Sequence, residues 1–103
     1  MKTPNEVKAV IEQIAPEATM NEDGELCFEY KGYPVKIEMH PRCSFCTALY
    51  ESFDSINMIS DYKYLRDLET KEQVVEFLDS AVKKIEDRKA PITDVPYIYN
   101  EDY

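Results

Sequence analysis

Apolar side chains recur at Val7, Val10, Ile11 and Ile14, a spacing of three and four that gathers them on one stripe of a helix while Lys8, Glu12 and Gln13 face water. Thr3-Pro4-Asn5-Glu6 supplies the start signal. The Thr3 hydroxyl is placed to accept the amide of Glu6, the Glu6 carboxylate reaches back, and Pro4 takes the first helical position, where a missing N–H leaves no carbonyl unserved. Pro16 disfavours helical geometry at Ala15, so the pattern predicts a helix over residues 4–15. Beyond the turn cluster Asn21-Glu22-Asp23-Gly24 the period changes to two. Leu26, Phe28 and Tyr30 alternate with Glu25, Cys27 and Glu29, and Val35, Ile37 and Met39 alternate with Lys36, Glu38 and His40. Lys31-Gly32-Tyr33-Pro34 between the two runs predicts a β-hairpin. With Gly32-Tyr33 as the two-residue turn, Tyr30 would face Val35, Phe28 would face Ile37 and Cys27 would face Glu38.

From Cys46 to Ser60 the apolar positions are Ala48, Leu49, Tyr50, Phe53, Ile56, Met58 and Ile59, with Asp54-Ser55 as a turn, and they predict strands over about 47–53 and 55–60. Residues 61–69 fit a strand extension or a short helix equally, because so few residues cannot separate the two periods. Thr70-Lys71-Glu72-Gln73 repeats the capping-box logic. It opens a helix whose Val74, Phe77, Leu78, Ala81, Val82 and Ile85 share a face and which Pro91 should stop. Glu72 and Glu76 fall in its early turns and Lys83, Lys84, Arg88 and Lys89 in its late ones, which complements the helix dipole. The order predicts an α+β two-layer sandwich: an antiparallel sheet of three to four strands with an N-terminal and a C-terminal helix on one face. Residues 1–90 form that single domain and 91–103 an acidic, Tyr-rich tail. In architecture alone, the order is similar to small chaperone-like and inhibitor-like α+β folds.

Composition narrows the class. A chain of 103 residues, 44% hydrophobic with eight Tyr and four Phe, has enough apolar surface for one core. No apolar run reaches bilayer length and the first residues carry no secretory signal, so cytoplasmic residence is the expectation. A formal net charge of −9 disfavours direct binding to nucleic acid or to anionic membranes and favours a protein partner with a basic or mixed surface. The charge is uneven. Residues 1–24 carry five acids against two bases, 47–70 again five against two, and 91–103 three against none, while 25–46 and 71–90 balance.

The chemistry-bearing side chains gather in Cys27, His40, Cys43 and Cys46, which hold the chain's three cysteines and its one histidine. Read as C-x12-H-x2-C-x2-C, they have the ligand count of a structural Cys3His zinc site; the other reading is three thiols near an ordinary histidine. In the register above, Cys27 and His40 would share the polar face of the hairpin. A redox role suits the CxxC less, because such pairs act from a helix start in a βαβ unit. No orienting carboxylate, phosphate loop or HExxH pattern accompanies it, so no enzymatic activity is expected and no cofactor beyond that possible zinc. The expectation is a small acidic binding protein, an adaptor, inhibitor or chaperone. It would present Tyr50, Glu51, Asp54, Asp61, Tyr62 and Tyr64 together with Tyr97, Tyr99, Glu101, Asp102 and Tyr103 of the tail. One alternative is an acidic mimic of nucleic acid that inhibits a DNA- or RNA-binding effector; in size and charge the chain resembles small acidic phage-encoded inhibitors, some anti-CRISPR proteins among them. The other is a module stabilised by the zinc site. Oligomeric state has no signature in the sequence.

Overall fold

Both helices begin at their capping boxes. Helix α1, Pro4–Ile14, has the Glu6 N–H donating to Thr3 Oγ1 at 3.2 Å, while Glu6 Oε1 accepts the N–H of Thr3 at 2.9 Å and of Lys2 at 2.7 Å. Helix α2, Lys71–Lys89, repeats the arrangement: the Gln73 N–H donates to Thr70 Oγ1 at 3.2 Å, and Gln73 Oε1 accepts the Thr70 N–H at 3.1 Å. Donors that a helix start leaves unpaired are thereby satisfied. These features belong to a computed structural model that describes residues 1–89. The tail over 91–103 and the stop at Pro91 lie outside the described residues.

Five antiparallel strands join in sequence order: β1 (Thr19–Met20), β2 (Glu25–Tyr30), β3 (Tyr33–Glu38), β4 (Cys46–Leu49) and β5 (Lys63–Tyr64). Leu26, Phe28, Val35, Ile37 and Leu49 turn to one face and are buried in a single core with Val7 and Ile11 of α1 and Val74, Leu78, Ala81 and Ile85 of α2. Each fully buried aliphatic side chain contributes on the order of 2 kcal/mol. Both helices therefore cover the same face, the two-layer α+β arrangement expected from the pattern, with one strand more than the upper expected count.

The hairpin register differs from the expected one by two residues. Tyr30 faces Tyr33, Phe28 faces Val35, Cys27 faces Lys36 and Glu25 faces Glu38, so Lys31 and Gly32 form the turn. Both are left-handed, Lys31 at φ 49° and Gly32 at φ 89°, the combination a two-residue turn needs to match strand twist. Proline explains the choice. The expected turn would make Lys31 and Pro34 the closing hydrogen-bonded pair, and Pro34 has no N–H to donate. In the observed register Pro34 sits opposite Glu29, and its carbonyl accepts the Tyr50 N–H at 2.8 Å on the β4 side. A shift of two preserves the faces, which is why the core residues were correctly expected.

The expected strand over 47–53 shortens to β4, and the one expected over 55–60 is not formed. β4 ends at Leu49, and Tyr50 meets Met58 only as an isolated bridge around the segment 51–57. Ser60 Oγ accepts the Leu49 N–H at 2.9 Å where the ladder is interrupted. Residues 61–69 hold both alternatives in miniature: β5, then a 3-10 turn over Leu65–Asp67 that buries Leu65 completely. Before β4, Ser44 and Phe45 are both left-handed, at φ 55° and 56°, and this turn delivers Phe45 fully into the core.

The tip of the hairpin is tied to α2. The Tyr30 hydroxyl donates to Asp79 Oδ1 at 2.6 Å, Lys31 Nζ lies 2.9 Å from the same oxygen, and the Tyr33 hydroxyl donates to Glu86. Burial and the Asp79 carboxylate push the Tyr30 phenol up to about 12, while the Tyr30 hydroxyl and Lys31 hold Asp79 below the usual carboxylate range. A depressed folded-state value means that this ionised carboxylate stabilises the fold above the unfolded value of about 3.9 and that the contribution disappears as pH falls through the lower folded value. The Asp79 side chain is 44% exposed, so solvent screening keeps the effect small. Asp79→Asn should therefore melt below the native chain at neutral pH by an amount equivalent to about 0.5 kcal/mol. The gap should narrow as pH drops below about 4, and melts across pH 2.5–7 followed by circular dichroism check it.

Candidate functional site

With both helices on one side, the opposite face of the sheet carries Glu25, Cys27 and Glu29 from β2, Lys36 and Glu38 from β3, and Cys46 and Ala48 from β4. Segment 51–57 folds back over part of this face, and Lys36 is the reason. Its side chain is on the polar face of the hairpin yet only 6% exposed. An ammonium at such depth costs several kcal/mol unless its donors are satisfied. Lys36 Nζ donates to the carbonyl of Ser55 at 2.7 Å and of Phe53 at 3.3 Å, lies 4.2 Å from the centre of the Tyr50 ring and 3.8 Å from Glu25 Oε1. The segment adds bonds of its own: Glu51 N–H to Asn57 O at 3.1 Å, Ser55 N–H to Ser52 O at 3.2 Å and Asn57 N–H to Ser55 Oγ at 2.9 Å. Ala48 and Tyr50 are buried beneath it, and its outer side leaves Ile56 89% and Phe53 42% exposed.

Between this loop and the turn before β2 runs an open groove of about 1030 Å³. The turn is held by Asn21, whose Oδ1 accepts the N–H of Asp23 at 2.9 Å and of Glu25 at 2.8 Å. Carboxylates converge on the groove from several directions: Glu17, Glu22 and Asp23 from the connection between α1 and β2, Glu25 and Glu29 from β2, Glu38 from β3, and Asp54 from the loop. Among the described lining residues Lys36 is the one basic side chain, and its ammonium is turned into the carbonyls of the loop. The groove therefore presents concentrated negative potential beside uncovered apolar side chains.

The residues expected to form a zinc site are not brought together. Cys27 lies in the groove opposite Lys36 rather than Glu38, so the two-residue register shift moves it away from His40. His40 Nδ1 accepts the Arg42 N–H at 3.0 Å, capping a 3-10 turn over Pro41–Cys43. Among the described residues, no three His, Cys, Asp or Glu side chains gather closely enough to hold a metal ion. All three thiols are pushed above the usual cysteine range, Cys27 and Cys46 chiefly by burial and Cys43 chiefly by its hydrogen bond with Glu38.

The residues expected to meet a partner divide. Tyr50 is 8% exposed and serves Lys36 rather than the surface. Glu51 and Asp54 are exposed on the loop, and Asp54 lines the groove. Asp61 is exposed at 4.0 Å from Lys84, and Tyr62, just before β5, meets Tyr64 in a tilted contact with ring centroids 5.2 Å apart. Tyr97, Tyr99, Glu101, Asp102 and Tyr103 lie outside the described residues. Glu22, Glu29, Glu38, Phe53 and Ile56 were not expected at a site. Strand parity held the signal for the two strand acids, since Glu29 and Glu38 sit on the face opposite Phe28 and Ile37. Comparison with protein-family models, curated proteins and solved structures gives no match, so the functional reading rests on this geometry.

Lys36→Met keeps the alkyl stem but removes the charge that holds the loop. It should lower stability by about 2 kcal/mol in urea titration and speed amide exchange at Ser55 and Asn57, while exchange in α1 follows only the global loss. The ligand geometry also predicts a metal-independent fold: melts with and without EDTA should coincide and elemental analysis should find no stoichiometric zinc, and a chelator-sensitive melt would contradict the arrangement described.

Proposed function

We propose that this chain is a small, non-enzymatic binding protein that acts by protein–protein contact, as an adaptor, inhibitor or chaperone, and that its open sheet face receives a basic or mixed partner surface. The observation that carries the reading is the convergence of carboxylates from four parts of the chain on one groove in which Lys36, the one basic residue among the described lining residues, is directed into the loop carbonyls and toward Glu25. Three free cysteines suit a reducing compartment such as the cytoplasm. No helix among the described residues is long and apolar enough to cross a membrane. The same convergence favours a second reading, an acidic imitation of a phosphate backbone that occupies the nucleic-acid site of a basic effector.

The test compares two triple charge reversals with equal change in net charge. Glu22→Lys, Asp23→Lys and Glu29→Lys alter exposed groove positions; Glu12→Lys, Glu72→Lys and Glu76→Lys alter exposed positions on the helices. Capture of a basic partner by the tagged native chain should fall more than tenfold with the groove set and little with the helix set, and raised salt should weaken it. Equal losses would leave only net charge at work. Displacement of the captured partner by DNA or RNA would select the mimic reading.

A further inference from the structure

The groove combines two chemistries that charge alone does not require. Its acidic floor and turn-side wall face the loop that carries Phe53 and Ile56. Single exposed apolar residues are ordinary on protein surfaces. Here, however, the backbone on both sides of Ile56 is immobilised: the Ser55 carbonyl is bound by Lys36, and the Asn57 N–H by Ser55 Oγ. The side chain is thus held 89% exposed at the groove's edge rather than free to fold inward. A contact surface fixed before binding loses little conformational entropy when it is covered.

We infer that the occupant of this face is a linear, Lys- or Arg-rich segment of a partner protein that also carries bulky apolar side chains. The inference rests on the protein-binding reading above and specifies its partner. Charge complementarity assigns the basic residues to Glu22, Asp23, Glu29 and Glu38, and the pinned loop assigns the apolar ones to Phe53 and Ile56. The Lys36 ammonium is directed into the loop carbonyls and lies 3.8 Å from Glu25, and its one positive charge is outnumbered by the carboxylates that line the groove. A second copy of this chain would bring the same acids face to face.

The probes are three synthetic peptides of equal length: Lys/Arg alternating with Leu/Phe, Lys/Arg alternating with Ser, and Ser alternating with Leu/Phe. Each is titrated into the full-length 15N-labelled chain. The first should shift amides at Asp23, Cys27, Phe53 and Ile56, bind about tenfold tighter than the second, as coverage of one apolar side chain implies, and weaken with salt; the third should not bind. Ile56→Ser is nearly fully exposed and should keep the native melt while reducing the first peptide to the affinity of the second. Equal binding of the first two peptides, or no effect of Ile56→Ser, overturns this inference and leaves the charge-based reading standing. No peptide binding, with partner capture still sensitive to groove reversal, overturns this inference alone. No binding with capture insensitive to reversal overturns both. Sedimentation showing a dimer broken by Ile56→Ser would assign the face to a second copy and also overturn it.

Discussion

The arrangement of the open face depends on one buried ammonium. Lys36 occupies a strand position that points away from the helices, where an antiparallel sheet can remain wet. Burial there is tolerable only because the chain returns two carbonyls, an aromatic face and a carboxylate to it. To deliver the carbonyls of Phe53 and Ser55, the segment after β4 must leave the ladder and cross the sheet. That crossing ends β4 at Leu49, buries Ala48 and Tyr50, forms one wall of the groove and sets Ile56 outward. A single unmet charge thereby accounts for a strand end, a loop path and a surface feature.

Much of the fold was legible because its signals are local. Two capping boxes, an apolar stripe in each helix and two period-two runs are each contained in a short window, and the centre of each stripe or run is buried, with Val10, Ile14, Tyr30, Met39, Phe77 and Val82 partly buried at the margins. The register was misread although the deciding fact was present in the sequence. Gly32 attracted the turn, yet the absent N–H of Pro34 forbids the closing pair that this turn would need, and Lys31 accepts a left-handed conformation instead. The end of β4 was not legible. Nothing local to Tyr50 or Ser52 announces that Lys36, fourteen or more residues earlier, will draw the chain across the sheet.

The candidate site was illegible for a related reason. Counted in windows, residues 25–46 are neutral, but strand geometry sorts their charges: Glu25, Glu29 and Glu38 face the groove, Lys31 lies in the hairpin turn, and Lys36 is buried. Proximity in sequence also misled. Cys27, His40, Cys43 and Cys46 are close along the chain, yet the register shift of two takes Cys27 away from His40 and His40 Nδ1 is used as a turn cap, while Cys43 and Cys46 stay near each other beside Glu38.

The unbound face holds opposed demands. Carboxylates gathered around one groove repel one another, and that repulsion opposes the folded state. The chain relieves part of it internally: Glu25 accepts the Asn21 amide at 2.8 Å and lies 3.8 Å from Lys36. Glu22, Asp23 and Glu29 remain exposed. Relief of those acids must come from cations outside the molecule. Mobile salt ions provide it diffusely, whereas a partner with basic groups at fixed positions provides it locally and can cover Ile56 in the same step. The acids left without an internal partner are therefore those through which binding would differ most from solvation.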